Sequence, residues 1–290
     1  MALLVLTSLI WSLSFGLIKS QLTDLDPSFV AAVRLGISAL VFLPFVLRSG
    51  PRGRLGLELM AIGAIQFGLM YLCVIRSYAV LAGWQVALLT VLTPLHVVLL
   101  EGLRRRRLAP HHLLAALLAI AGAGWISWPS DGSWSAPLEG VMLVQLANLC
   151  FAAGQLAYRS RVPRGSGLSH PAAMGQAYLG AVLVAGAVSL VTSDPGRVQP
   201  GTEQLWALAY LGAVASGLGF FLWNVGATRV RVGTLAVMNN LKVPLGVLVA
   251  LTVFGESADW ERLVPGAVAV GLALLVAASR GDSEAIETGH

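Results

Sequence analysis

Charge is what this sequence lacks. Asp, Glu, Lys and Arg make up 11% of its 290 residues, against about 25% in a soluble domain. With 57% hydrophobic residues and a mean hydropathy of +0.78, that shortage excludes a water-soluble globule and leaves a polytopic membrane protein. Cysteine is nearly absent too. Cys73 and Cys150 both fall in apolar runs and read as small buried apolar residues, not as a disulfide. No H-E-x-x-H, G-x-S-x-G or P-loop occurs, so nothing points to an enzyme, a metal or a cofactor. The net charge of +5 is no nucleic-acid signature, because the Arg residues lie in short loops between apolar runs. The apolar start has no basic n-region, so it reads as a retained first span and not as a signal peptide.

The apolar runs fit ten transmembrane helices, since a span needs about 20 residues. They cover 2–19, 27–47, 57–77, 83–103, 112–128, 138–158, 169–192, 204–227, 232–254 and 262–279. Turn chemistry separates them, as in Ser49-Gly50-Pro51, Ser130-Asp131-Gly132, Pro163-Arg164-Gly165 and Asp194-Pro195-Gly196. Loop charge alternates without a break. One set carries Arg48, Arg52 and Arg54, then Arg104 to Arg107, Arg159, Arg161 and Arg164, then Arg229 and Arg231. The other carries Asp24 and Asp26, Asp131, Asp194 with Arg197, and Glu256 with Asp259. Basic loops stay cytoplasmic, which places both termini in the cytoplasm.

The chain also repeats itself. Gly83, Thr90, Pro94-Leu95 and Val97 recur 150 positions later as Gly233, Asn240, Pro244-Leu245 and Val247. Lys19-Ser20 recurs as Arg159-Ser160 at an offset of 140. This divides the protein into a first five-helix repeat, 1–130, a second, 136–280, and a cytoplasmic tail, 281–290. An odd number of spans per half makes the second enter the membrane from the opposite side. Such inverted repeats place a substrate site near the midplane, where the halves meet.

Lys242 lies in the middle of an apolar run, in Met238-Asn239-Asn240-Leu241-Lys242-Val243-Pro244. A cation at bilayer centre costs about 3 kcal/mol on insertion scales and is a functional hypothesis by default. Arg34 and Arg76 also fall within apolar segments, with no comparably deep acid to pair with them. A cationic cavity of this kind suits an anionic guest. Pro94 and Pro244 remove helical partners from the carbonyls of Thr90 and Asn240, so the fourth and ninth spans should line that cavity. On the sixth span Gln145, Asn148, Ala152 and Gln155 share a face. The eighth offers Ser216-Gly217 and Trp223-Asn224, the first Trp11 and Ser14, the third Gln66 and Tyr71, the seventh Gln176 and Tyr178. Lys242 or Arg76 would meet a carboxylate, and Asn239, Asn240, Gln145 or Asn148 a group that both donates and accepts. Trp223, Trp11 or Tyr71 would cover an apolar body. Arg34 either binds the guest or latches to carbonyls. His96 and Glu101 either move a proton or are structural. Gly36, Gly63, Gly68, Gly122 and Gly271 read as close-packing positions.

Ten spans in two halves, with Trp11-Ser12 in the first and Val33-Arg34-Leu35-Gly36 in the second, resemble the EamA family of the drug/metabolite transporter superfamily. The closer resemblance is to the bacterial biotin importers of the carboxylate/amino acid/amine branch. It runs through Leu43-Pro44-Phe45, Leu92-Thr93-Pro94-Leu95, Val144-Gln145-Leu146, Tyr178-Leu179-Gly180-Ala181, Ser216-Gly217, Trp223-Asn224 and Met238-Asn239-Asn240. At the position of Lys242 that branch can carry histidine, so a permanent charge there is a feature of this chain. The resemblance implies a monomeric secondary transporter of the bacterial inner membrane. It would import a small carboxylate, biotin first, by alternating access and without a cofactor. Two alternatives stay open: an exporter of amino acids or other small metabolites, and a non-transporting scaffold or lipid-acting enzyme. The loop charges predict that reporter fusions after Arg106 and Gly165 read inside, and fusions after Gly132 and Gly255 outside. A periplasmic C-terminus would contradict the inverted repeat.

Overall fold

The computed structural model describes residues 1–22, 24–128, 136–162, 167–253 and 259–278, without the side chains of 15–20, 83–84, 195, 250 and 253. Ser130-Asp131-Gly132, Pro163-Arg164-Gly165, Glu256, the last positions of the ninth and tenth spans and the 281–290 tail lie outside the described residues, as does the side chain of Lys19. The described residues are helical throughout, with no strand among them. The helices are α1 (Ala2–Gln21), α2 (Pro27–Ser49), α3 (Gly53–Ser77), α4a (Gly83–Thr90), α4b (Thr93–Arg105), α5 (Pro110–Ser127) and α6 (Leu138–Arg161). They continue as α7 (His170–Thr192), α8 (Thr202–Ala227), α9a (Val232–Met238), α9b (Lys242–Val253) and α10 (Trp260–Ala278). Among the described residues nine helical segments are long and apolar enough to cross a membrane, and α1 adds a shorter apolar stretch, Ala2–Ser14.

Which helices touch follows a pattern. α2 packs along α7, and α5 along α10. α3 lies against α6 and α7, while α8 lies against α1 and α2. α6 meets both parts of α4, and α1 meets α9b. Adding or subtracting five from each helix number therefore returns a pair that is also in contact. Lipid tails give no hydrophobic drive between spans, so close backbone approach through small residues has to supply the packing. A methyl on Gly63 would stand 1.8 Å from the carbonyl oxygen of Ala177, and one on Gly180 would stand 1.9 Å from that of Met60. The backbones of α3 and α7 thus touch directly. Gly122 presses on Gly266 in the same way, but Gly36 and Gly271, expected to be close-packed, have nothing within 4 Å.

Two π-helical segments occur at matching places, Ala64–Leu69 in α3 and Leu211–Leu218 in α8. Their i→i+5 pattern turns carbonyls outward, and such segments cluster at functional sites. In α8 these carbonyls are taken by neighbouring spans. Ser38 Oγ donates to Gly212 O (2.8 Å), and Trp11 Nε1 donates to Ala215 O (3.0 Å). The Tyr178 hydroxyl lies 2.7 Å from both Ser216 O and Gly217 O and shares its proton between them.

The two ends of the bundle differ in charge. At one end Arg161 pairs with Glu58 (3.3 Å), and Arg159 donates to Ala227 O (2.7 Å) and to Val230 O. At the other end Asp26 caps α2. It accepts from the N–H groups of Ser28 (2.9 Å) and Phe29 (3.0 Å), from Ser193 Oγ (2.9 Å) and from the N–H of Asp194 (3.2 Å). Burial alone would raise this carboxyl, but the bonds from Phe29, Asp194, Ser193 and Ser28 outweigh it and hold Asp26 below the usual carboxylate range. Its charge therefore stabilises the fold above the unfolded-state value near 4, and that contribution is lost as pH falls through the folded value. Asp26→Asn should lower the thermal unfolding midpoint by roughly two to four degrees at pH 7. The gap to wild type should close as pH drops below about 4, which a pH series of melts in detergent measures.

Candidate functional site

The fourth and ninth spans are each two helices. Around Val91 the chain makes i→i+3 bonds, Val91 N–H to Leu88 O (3.1 Å) and Leu92 N–H to Leu89 O (3.3 Å). Around Asn240 it does the same, Asn239 N–H to Ala236 O (3.2 Å) and Asn240 N–H to Val237 O (3.0 Å). Both spans break beside the two prolines that the sequence marked. Pro94 sits in the first turn of α4b and Pro244 in that of α9b, where the missing N–H costs nothing. Of the two expected carbonyls, that of Thr90 is met by a side chain and that of Asn240 by an i→i+3 backbone bond. Thr90 O accepts from Thr93 Oγ1 (2.6 Å), and Asn240 O accepts from Val243 N–H (3.1 Å).

Side chains of other spans bond carbonyls in and beside the breaks, those of Leu89, Val91 and Lys242. Asn148 Nδ2 donates to Leu89 O (2.9 Å), with Gln145 Nε2 at 3.4 Å from the same oxygen. Asn148 Oδ1 accepts from Thr93 Oγ1 (3.1 Å), and its amide also reaches Gln145 Oε1 (3.3 Å). Asn240 Nδ2 joins the two breaks by donating to Val91 O (2.9 Å), and reaches Ala119 O on α5 (3.2 Å). Ser12 Oγ on α1 donates to Lys242 O (3.1 Å). Asn239 turns its amide back on its own helix, to Leu235 O (2.8 Å). The donors of both asparagines are thus committed to backbone, although sequence reading had offered them to a guest.

Lys242 differs from these braces. It is half-buried and opens α9b. Among the described residues its ammonium has neither hydrogen bond nor ion pair. One turn on, a methyl at Gly246 would meet only Ser12 Oγ, at 4.0 Å, so that position of α9b is open.

An aromatic wall gathers around Trp11 of α1, the helix whose Ser12 holds Lys242 O. The ring of Trp11 lies 5.1 Å from Trp223, 5.2 Å from Phe220 and 6.1 Å from Phe151, centroid to centroid. Trp11 is half-buried and pinned through its indole N–H, while Trp223 is fully buried. Behind the wall lies an amide layer. Trp223 Nε1 donates to Gln155 Oε1 (2.9 Å), and Gln66 Nε2 donates to Asn224 Oδ1 (3.2 Å). Asn224 Nδ2 in turn donates to Phe220 O (3.0 Å). Gln66, Gln155 and Asn224 are fully buried. Sequence reading noted Gln66 and Gln155 but did not place them among the binding residues. Gln155 was visible as the fourth member of the face shared by Gln145 and Asn148; Gln66 gave no comparable signal.

The remaining cations have other surroundings. Arg34 is buried, its Nη2 2.8 Å from the Tyr71 hydroxyl and 3.1 Å from Ser216 Oγ, with its guanidinium over the Tyr71 ring. It latches to hydroxyls, not carbonyls. Arg76 sits in the last turn of α3 and is exposed, not deep; the apolar run continues past the point where the helix stops. His96 Nδ1 contacts Leu92 O (3.1 Å) within its own helix, and Glu101 pairs with Arg104 (2.8 Å) and Arg105 (2.5 Å). A cavity of about 490 Å³ between α2, α3 and α7, bordered by Arg52 and Gln176, belongs to the basic end of the bundle and not to the breaks.

The sequence profile of the EamA-like transporter family matches residues 1–128 and 138–278. The "Probable biotin transporter" of Pseudomonas aeruginosa is 41% identical over 278 residues, covering 95% of this chain and 96% of its own. The "Biotin transporter" of Escherichia coli K12 is 38% identical over 280 residues, covering 95% and 92%, as is that of Salmonella typhimurium. One solved crystal structure superposes with a TM-score of 0.80 at 21% identity over 96% of this chain and 97% of that one, and so shares the fold.

The bracing geometry separates the two adjacent asparagines. Asn240→Ala removes two bonds to other spans, and an unmet buried carbonyl such as that of Val91 in the break costs about 1–3 kcal/mol. Asn239→Ala removes a bond within one helix. Asn240→Ala should therefore lower the melting temperature in detergent clearly more than Asn239→Ala. Equal shifts would show that the breaks are not held by Asn240.

Proposed function

We propose, from the premise that this chain belongs to the EamA-like transporter family, that it imports biotin across the bacterial inner membrane by alternating access. Relatives named biotin transporters, similar over nearly their whole length, support the substrate. The observation that carries the site is Lys242. It is a half-buried cation at the junction of two broken helices, with no anion of the protein's own among the described residues. A carboxylate guest supplies that missing charge. The N-terminus of α9b adds the positive end of a helix dipole to the same place.

In this reading α1 is a full span, giving ten, and both termini are cytoplasmic with the basic loops. The halves 1–130 and 136–280 are inverted repeats. The family profile matching each half once supports this, as do the paired π segments and the paired helix breaks. Alternating access then amounts to rocking about the site, with the α4 and α9 breaks as flexible joints whose carbonyls stay met by Asn148, Asn240 and Ser12. Trp11 and Trp223 cover the apolar body of the guest. Arg34, held by hydroxyls alone, keeps an uncompensated positive charge that raises the local concentration of anions. The unit is a monomer.

The test is uptake of labelled biotin by liposomes that contain only this protein. Lys242→Met should reduce uptake at least ten-fold with a near-normal amount of folded protein. Lys242→Glu should be worse, because repulsion replaces attraction. Transport by Lys242→Met at the wild-type rate would move the carboxylate site elsewhere, and no uptake by wild type would end the biotin reading.

A further inference from the structure

The amide layer behind the aromatic wall is fully buried yet incomplete. Gln155 Nε2 and Gln66 Oε1 have no hydrogen-bond partner. The orientation of both amides is fixed from outside. Trp223 can only donate, so the Gln155 atom facing its indole is the oxygen (2.9 Å), and the NH₂ group is the end left over. Asn224 donates to Phe220 O, so it presents its oxygen to Gln66. Gln66 therefore spends its NH₂ there (3.2 Å) and keeps its oxygen free. The two leftovers are one donor and one acceptor.

They also belong to one place. A methyl on Gly154, the neighbour of Gln155, would stand 2.2 Å from Cβ of Gln66, so α6 and α3 touch here. Gln66 lies within the π segment of α3. The layer is joined to Lys242 through the wall. Trp11 is 5.1 Å from Trp223, and its neighbour Ser12 holds the backbone of Lys242 at 3.1 Å.

An acceptor beside a donor complements a group that offers an N–H beside a C=O, which is the edge of a cyclic urea. We propose that Gln66 and Gln155 read the ureido ring of biotin, Gln66 Oε1 accepting a ring N–H and Gln155 Nε2 donating to the ring carbonyl. This rests on the biotin reading and extends it. Lys242 holds the tail, Trp11 covers the middle, and the two glutamines read the head once the wall opens. A site built to hydrogen-bond its substrate discriminates strongly against one that lacks the matching group.

The experiment compares three carboxylates on purified protein by equilibrium binding: biotin, 2-iminobiotin and lipoate. In 2-iminobiotin a cyclic guanidinium presents N–H where biotin presents C=O, and lipoate has no ureido ring. All keep the carboxylate tail, so the contribution of Lys242 cancels from their ratios. Gln155→Glu keeps the acceptor for Trp223 but replaces the donor with a second acceptor. It should weaken biotin at least ten-fold and shift the biotin-to-iminobiotin preference at least ten-fold toward iminobiotin. Gln66→Met, the variant to use if Gln155→Glu does not fold, should weaken biotin at least ten-fold and leave lipoate within about two-fold. Unchanged ratios in the variants that fold would overturn the assignment and mark the glutamines as helix–helix contacts that meet each other or water. Wild-type protein that binds lipoate but not biotin would overturn the biotin reading itself and this inference with it.

Discussion

Peptide groups released inside a membrane must be met by the protein, because lipid offers neither donor nor acceptor. The architecture around the site follows from that requirement. Around the breaks of α4 and α9 the carbonyls of Leu89, Val91 and Lys242 take side-chain donors from α6, from the opposite break and from α1. The π segment of α8 frees another group of carbonyls, and α1, α2 and α7 answer it. The polar side chains most conspicuous in an apolar sequence are therefore spent mainly on backbone. The few left over are the Lys242 ammonium and the unmatched ends of Gln66, Gln155 and Asn240.

The buried Arg34 and the half-buried Lys242 stand in different surroundings. Arg34 spreads its charge over two hydroxyls and an aromatic face, which suits a planar, weakly hydrated guanidinium. Lys242 has a compact ammonium and no such cradle. A point charge that keeps part of its surface open is better placed to exchange water for a carboxylate and to release it again.

The sequence was legible where one-dimensional signals suffice. Span positions followed from apolar length, the two-ended distribution of charge from the loops, and the breaks from the repeated proline. It misled where the answer lies in another helix. Pro94 and Pro244 start new helices, and the side chains that meet the carbonyls around them come from other spans. The amides of Asn239 and Asn240, adjacent in sequence, go to Leu235 in one case and to Val91 and Ala119 in the other. Nothing local separates those fates. Arg76 looked deep because apolar residues continue beyond it, but the helix ends one residue later. Gln155 was on the right face by periodicity, yet its importance depends on Trp223 fixing which end of the amide is left over.

One contact constrains how such a protein can change shape. At Gly63 and Gly180 the main chains of α3 and α7 touch with no side chain between them, and the two helices come from different halves of the sequence. Interlocked peptide ridges resist sliding far more than interdigitated side chains, which can change rotamer. Relative sliding of α3 and α7 is therefore the motion this contact opposes most, and it ties one helix from each half of the sequence into a single unit.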